Sequence, residues 1–411
     1  MNYADALDFL FPRTTTIKFG LETTRALLAE LGDPHLVMPA IHIGGTNGKG
    51  SVAALVAAAL GEAGLRAGLY TSPHLVSFRE RMMVDGAPVS EAAIAMWTTR
   101  LEPLILSREA TFFEATTAIA FADFAARGAD VAVIEVGLGG RLDSTNVVRP
   151  MASAVTRIAR DHTKYLGDSL AEIAREKAGI AKPGAPFVVG ETEPALVEAL
   201  REGADAAVAE LAPGRRADVR VVPPAARWAG PLGLAGPHQR RNAAVAAAVL
   251  DALPDRCRPG ADAVARAFAA TRVPGRLDRR GAWLFDVAHN PDGVRALTAA
   301  IRADPPTRPL HALVSILGDK EWPEMLVELD TVVDRGFLTL APTAAGRGWD
   351  TEWLGRWLAA PDRPPARADW VMEPDFDAAI RRAREGAGTV LVTGSFHTVG
   401  DVMGRLGLQP I

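Results

Sequence analysis

The sequence predicts two α/β domains, a larger one on a parallel-rich, doubly wound sheet followed by a smaller Rossmann-like one, and three patterns point that way. The stretch Ala40-Ile41-His42-Ile43-Gly44-Gly45-Thr46-Asn47-Gly48-Lys49-Gly50-Ser51 runs into an apolar helical pattern over 52–60, the order of a strand, a glycine-rich turn and a helix. Short strands at 68–75 and 131–137 follow, and strands that alternate with helices form parallel sheets. A second alternation starts at Trp283, with strands at 310–316, 336–340 and 389–393 and no GxGxxG motif. The turn at Val273-Pro274-Gly275 separates the two, so domains are expected at 1–273 and 274–411.

The first 35 residues hold two short helical patterns, 4–11 and 21–31, joined by a loop over 12–20. The glycine-rich turn after the next strand suits a nucleotide phosphate. Glycines let backbone N–H groups crowd around the anion, and the helix start adds its positive dipole end. Lys49 then reaches the outer phosphates, and a nearby hydroxyl meets Mg²⁺. The loop is a variant of the P-loop, with three residues between Gly44 and Gly48 and with Gly50 between Lys49 and Ser51.

In a parallel sheet ligands sit at the carboxyl ends of the strands, where Ser72 and Glu135 fall. A carboxylate closing an apolar strand is costly to bury without a partner, and Mg²⁺ is the natural one beside a triphosphate. Two constellations come next, Gly139-Gly140-Arg141-Leu142-Asp143-Ser144-Thr145-Asn146 and the pair of segments 161–167 and 173–180 that hold His162 and Lys177. A histidine after a strand is more often a structural residue than a ligand, and a lysine near a helix C-terminus is usually solvated. Residues 196–222 are rich in Ala, Arg and Asp and end at Pro223-Pro224. Residues 236–242 open an alanine-rich helix to 253, a second helix covers 261–270, and 361–365 reads as an exposed loop.

Composition bounds the rest. The chain has 411 residues, 48% of them hydrophobic and 23% charged, a globular balance. A net charge of −4 offers no basic field for nucleic acid and no polybasic membrane anchor. One cysteine, Cys257, cannot form an internal disulfide and fits a reducing compartment. No signal peptide is evident and no apolar run is long enough to span a bilayer, so the cytoplasm is the expected location. Of 45 basic residues 39 are Arg and six are Lys, and Lys49, Lys177 and Lys320 all lie in the segments singled out here. A lysine, unlike an arginine, can lose its proton and act as an amine.

These residues resemble a family. The motifs at 45–51, Thr71-Ser72-Pro73-His74-Leu75, Phe113-Glu114-Ala115-Thr116-Thr117, 135–146, Glu176-Lys177-Ala178-Gly179-Ile180, Asp286-Val287-Ala288-His289-Asn290-Pro291 and Gly394-Ser395-Phe396-His397-Thr398-Val399-Gly400 occur in the order found in folylpolyglutamate and dihydrofolate synthases, a branch of the Mur ligase superfamily. The resemblance covers nearly the whole chain. It implies a Mur-ligase-type P-loop ATPase domain with a Rossmann-like domain closing over it, and an ATP-dependent amide ligase, in the bacterial bifunctional style. A folate or dihydropteroate carboxylate would attack the γ-phosphate of ATP, and L-glutamate would displace phosphate from the acyl phosphate.

What the resemblance implies for residues is specific. Thr46, Asn47, Gly48, Lys49, Gly50 and Ser51 would hold ATP, with Asn242, Arg276 and Asp286 completing its site. Ser72, Glu135 and His162 would bind Mg²⁺, Lys177 would be carbamylated, and His289 occupies a conspicuous position counted among the catalytic ones. The pterin would lie against Thr111, Phe112, Phe113, Glu114, Leu142, Asp143 and Ser144, with the loop at Lys18-Phe19 as a lid. Arg79 and Arg160 depart from the family pattern and are expected to be solvated. The family is monomeric, and no nucleic acid or membrane partner is expected. Two alternatives stand beside this reading: a Mur-type ligase acting on another acid, such as a cell-wall precursor, and a nucleotide-binding module without ligase activity.

Overall fold

The apolar run at 40–44 forms a strand buried along its whole length, and so does the run at 131–135, as strands covered on both faces must. A computed structural model describes residues 1–15, 18–344, 346–360 and 366–410. Two compact units make up the chain, one of Met1–Ser72, Arg79–Leu232 and Arg241–Thr271, the other of Pro73–Phe78, Gly233–Arg240 and Arg272–Ile411. The loop expected at 361–365 lies outside the described residues.

The first unit is built on eight strands: β1 (Ala40–Gly44), β2 (Ala67–Tyr70), β3 (Met82–Val84), β4 (Ala87–Pro88), β5 (Val131–Glu135), β6 (Pro150–Val155), β7 (Pro186–Val189) and β8 (Asp218–Val221). Their order is β4-β3-β2-β5-β1-β6-β7-β8. All neighbours are parallel except the β2–β3 and β3–β4 pairs at one edge. Because β2, β5 and β1 are adjacent, their carboxyl ends bring Ser72, Glu135 and the turn after Gly44 to one edge of the sheet. The helix Lys49–Glu62 covers this centre and packs on the helix Ala261–Ala270, with Arg266 Nε 3.1 Å from Glu62 Oε2. A separate core of Val155, Ile173, Ile180, Phe187 and Leu200 lies under the helix Leu170–Ala178.

The second unit holds β9 (Asp278–Arg280), β10 (Trp283–Phe285), β11 (Leu310–Val314), β12 (Arg335–Leu338), β13 (Asp369–Met372) and β14 (Thr389–Thr393), in the order β13-β12-β11-β14-β10-β9. Only β9 is antiparallel. One face of this sheet packs on Val294, Leu297, Trp322 and Leu326, the other on Phe376, Val399 and Met403. The parallel-rich first sheet and smaller second α/β unit are the fold class the sequence predicts.

One local expectation, that of a solvated Arg79, needs correction. Residues 196–222 hold the rest of a helix, Pro194–Leu211, and the edge strand β8. Arg79 is not solvated: it is half-buried, its Nε donates to the Val89 carbonyl at 2.6 Å and its Nη1 lies 3.8 Å from Glu91. Lys177, although in the last turn of its helix, is buried rather than a solvated end charge. Arg160 is exposed as expected. No helix among the described residues is long and apolar enough to cross a membrane.

Candidate active site

The turn after β1 is shaped by two glycines that tolerate no side chain. Gly45 has φ +134°, and a Cβ on it would lie 2.0 Å from Thr156 Oγ1. Gly48 has φ +91°, and its Cβ would lie 2.6 Å from Asn242 Oδ1. Side chains rarely adopt that half of backbone space, and here the neighbours forbid it as well. Thr46 ties the turn to the 157–159 segment: its N–H donates to the Arg157 carbonyl at 2.7 Å, and its hydroxyl meets both the N–H and the carbonyl of Ala159, at 3.1 and 3.2 Å. Thr156 Oγ1 donates to the Asn47 carbonyl at 2.7 Å. The helix Lys49–Glu62 starts with no side-chain cap, which leaves its first N–H groups for an anion. Lys49 Nζ donates to the Thr46 carbonyl at 3.0 Å, so the ammonium folds back over the turn. Ser51 is buried one turn along.

At the neighbouring strand ends Glu135, only 5% exposed, accepts the Ser72 N–H at 3.2 Å. Its Oε2 is 3.3 Å from where a Gly50 Cβ would stand, so the carboxylate overlies the helix start. Arg81, a residue the sequence reading missed, is buried nearby with its guanidinium 5.1 Å from the Phe112 ring centre. Burial holds its pKa below the usual arginine range, opposed by the charges of Tyr70, Glu135 and Glu80. Nothing local marked it, since it follows Arg79 and Glu80 in the run that leads from Phe78 into β3.

Lys177 is 5% exposed and makes no hydrogen bond or ion pair among the described residues. Burial first, then the charge of Lys49, pulls its amine from 10.5 down to about 7, against the pull of Asp161 and Asp143. The loop 137–146 presses on this helix end. A Cβ on Gly140 would lie 2.7 Å from the Lys177 carbonyl, and the Arg141 N–H donates to the Glu176 carbonyl at 3.0 Å. His162 has positive φ, 53°, and its exposed ring lies 3.7 Å from Asp161 Oδ1. Among the described residues no three His, Cys, Asp or Glu side chains form a ready-made metal cage.

The residues expected to meet a pterin direct much of their polarity at one another. Thr111 and Glu114 form a capping box, with Glu114 Oε2 accepting the Thr111 N–H and hydroxyl at 2.7 and 2.8 Å. Phe112 stacks on Phe11 at 5.6 Å, and Phe113 lies 6.0 Å from Tyr70 and against Gly137, whose Cβ would be 2.3 Å from the ring. Leu142 is half-buried, and Asp143 and Ser144 are buried. Lys18 Nζ donates to the Glu109 carbonyl at 2.7 Å, and Phe19, 51% exposed, stands 6.1 Å from Tyr165.

Within the second unit, Asp286 closes β10 and accepts the N–H groups of Leu277 and Ala288, each at 3.0 Å. Burial raises its pKa, while Arg276 and His238 oppose that. The Arg276 guanidinium sits 5.2 Å from the Phe396 ring, and the His289 ring is 5.7 Å from the same ring. His289 Nδ1 donates to the Val287 carbonyl at 2.8 Å, which fixes the ring's orientation. His238 belongs to this group too, and burial holds its pKa below the usual value. Its signal was a histidine at the mouth of an alanine-rich helix.

Residues 43–250 match the Mur ligase middle domain, and residues 275–396 match the Mur ligase glutamate ligase domain. The chain belongs to the Mur ligase family. This Mur ligase is 38% identical over 464 residues to the dihydrofolate synthase/folylpolyglutamate synthase of Mycobacterium tuberculosis, covering 98% of the chain and 93% of the relative. It is 36% identical over 433 residues to a probable bifunctional folylpolyglutamate synthase/dihydropteroate synthase of Haloferax volcanii, and spans 50% of that relative's length. The structure of E. coli FolC in complex with DHPP and ADP matches it with a TM-score of 0.83 at 31% identity, over 99% of this chain and 98% of that one. A bifunctional folylpolyglutamate synthase/dihydrofolate synthase with Mn, AMPPNP and L-glutamate bound matches with a TM-score of 0.82 at 32% identity, over 99% and 98%. The family resemblance read from the seven motifs is borne out.

Proposed function

We propose that this chain is an ATP-dependent ligase that joins L-glutamate to the carboxylate of dihydropteroate, and also to that of a reduced folate, through an acyl phosphate. The observation that carries the reading is Lys177. An amine that is buried and, among the described residues, without a hydrogen bond or ion pair is costly, and a structural role does not need one. Held down to about 7, the amine is half neutral at neutral pH and can attack CO₂. The new C–N bond and the loss of one proton leave a carbamate, whose oxygens suit a hard cation. A relative solved with Mn, AMPPNP and L-glutamate bound supports the ligase reading.

The remaining residues fit a phosphoryl transfer. Thr46, Asn47, Gly48, Lys49, Gly50 and Ser51 would cradle the triphosphate, with Asn242 against the turn, and Arg276 and Asp286 are proposed as further ATP-binding residues. Ser72 and Glu135 supply hard oxygens at the uncapped helix start. That suits Mg²⁺, which takes few protein oxygens beside a nucleotide. His162 would be a further ligand. When bound, Mg²⁺ neutralises charge on the β- and γ-phosphates. The acceptor carboxylate then forms its bond to the γ-phosphorus as the bond to ADP breaks. The glutamate amine next forms the C–N bond as phosphate leaves, and His289 would take the proton. Thr111, Phe112, Phe113, Glu114, Leu142, Asp143 and Ser144 form the acceptor wall, their aromatic rings offering stacking surface.

Residues 1–273 would then be the ATP-binding domain and 274–411 the glutamate ligase domain, in a cytoplasmic monomer. Hydroxylamine tests the intermediate. With MgATP and acceptor but no glutamate, it should capture the acyl phosphate as a hydroxamate of the acceptor. No hydroxamate, with phosphate still released, would overturn the acyl phosphate route.

A further inference from the structure

The middle of β1 carries a polar residue that the reaction above does not use. His42 is completely buried, paired in register with Ile134 and Ser153 on the neighbouring strands. An imidazole in such a place costs desolvation that an isoleucine would avoid, so its hydrogen bonds show what it is for. Its Nε2 lies 2.8 Å from Thr145 Oγ1. The Thr145 hydroxyl donates onward to Asp143 Oδ1, and the Thr145 N–H reaches that same oxygen at 3.0 Å. With the hydroxyl proton committed to the carboxylate, His42 must be the donor at Nε2. Burial, with the charge of Lys182, holds the imidazole down at about 3, so the ring stays neutral. Nδ1 has no partner among the described residues, and the single bond that the ring makes is aimed at the loop.

That loop is the one that carries Leu142, Asp143 and Ser144. Asp143 Oδ2 accepts the Leu138 N–H at 2.7 Å, so its carboxylate closes the loop on itself while Oδ1 is fixed by Thr145. The chain of donors therefore runs from a buried strand, through a hydroxyl, to the carboxylate that sets the loop's shape. We propose that His42 is a positioning residue for the acceptor-binding loop, acting through Thr145 on Asp143. The proposal rests on the reading that this loop meets the acceptor.

Three variants test it. Gln at position 42 can place an amide N–H where Nε2–H stands, Asn can place one only near Nδ1, and Phe offers none. Loss of a buried hydrogen bond of this kind should raise KM for dihydropteroate roughly tenfold in His42→Phe and His42→Asn, with His42→Gln within about threefold of the wild type. Affinity for AMPPNP should stay within about twofold in all three, since the P-loop keeps its own contacts to 156–159. Thr145→Val should match the Phe variant, and adding His42→Gln to it should cost nothing further. A Phe variant with wild-type KM, a Gln variant as poor as Phe, or a parallel fall in AMPPNP affinity would overturn the proposal. Hydrogen exchange at the Leu138 and Thr145 amides reads the relay without any substrate. Protection should fall in His42→Phe, His42→Asn and Thr145→Val and persist in His42→Gln, and uniform protection across them would overturn it. Intact relay behaviour with no turnover on either acceptor would instead sink the functional reading alone.

Discussion

Replacing Lys177 by Met should stabilise this chain at neutral pH, and less so as the pH rises, while abolishing its activity. The amine falls from 10.5 to about 7 because the folded chain buries it. A displacement of that size makes the charged form less favourable in the folded state by roughly 5 kcal/mol, an upper bound for a buried group. Between those two values the unfolded chain binds a proton that the folded chain does not. Wild-type stability therefore rises with pH by about 1.4 kcal/mol per pH unit across that window, and below it the cost is present in full. Methionine has similar length and no charge, so it lacks this dependence. The variant's advantage should be roughly 2–4 kcal/mol at pH 7 in CO₂-free buffer and shrink towards zero near pH 10. Urea midpoints at pH 7, 8, 9 and 10, followed by tryptophan fluorescence, measure the gap. A variant that is no more stable at pH 7, or a gap that does not narrow with pH, would refute the burial cost assigned to this amine. Bicarbonate should stabilise the wild type alone, because a carbamate no longer carries the cost of an unpaired ammonium.

Gly48→Ala should cost about 1–3 kcal/mol and weaken AMPPNP binding, because the backbone is left-handed there and Asn242 stands 2.6 Å from the new methyl group. Adding Asn242→Gly relieves the contact but not the backbone, so thermal melts should show incomplete recovery. Glu135→Gln keeps the shape and removes the charge, and the Mg²⁺ concentration for half-maximal turnover should rise roughly tenfold or more. An unchanged Mg²⁺ titration would remove Glu135 from the metal site. Gly137→Ala puts a methyl group 2.3 Å from the Phe113 ring, so it should lose about 1–3 kcal/mol and raise acceptor KM, with Phe113→Leu restoring part of both.

Much of this was legible in the sequence because the central strands are buried on both faces. β1, β5 and β14 read as mostly apolar runs, His42 in β1 and Glu135 at the end of β5 apart, and β14 spans the residues expected of it. The P-loop was legible because its glycines answer to backbone needs that no other residue meets. The edges were not. β8 carries Asp218 and Arg220, β13 opens on Asp369, both are half-exposed edge strands, and β9 is three residues long, so none stands out from a loop. The burial of Lys177, Arg79 and Arg81 was hidden for a different reason. A cation's exposure is decided by what the rest of the chain packs over it, and no local pattern records that. His42 was in plain view beside the P-loop, but its meaning depends on Thr145, over a hundred positions away along the chain.

The most direct measurement is phosphate release from MgATP and L-glutamate, with 7,8-dihydropteroate and with tetrahydrofolate as acceptors, the ligated product confirmed by mass and Lys49→Ala as the control. Glutamate-dependent turnover of both acceptors, lost in the control, is the expected result. ATP binding without turnover on either acceptor would contradict the assignment and point to another acid substrate or to a nucleotide-binding protein that is not a ligase.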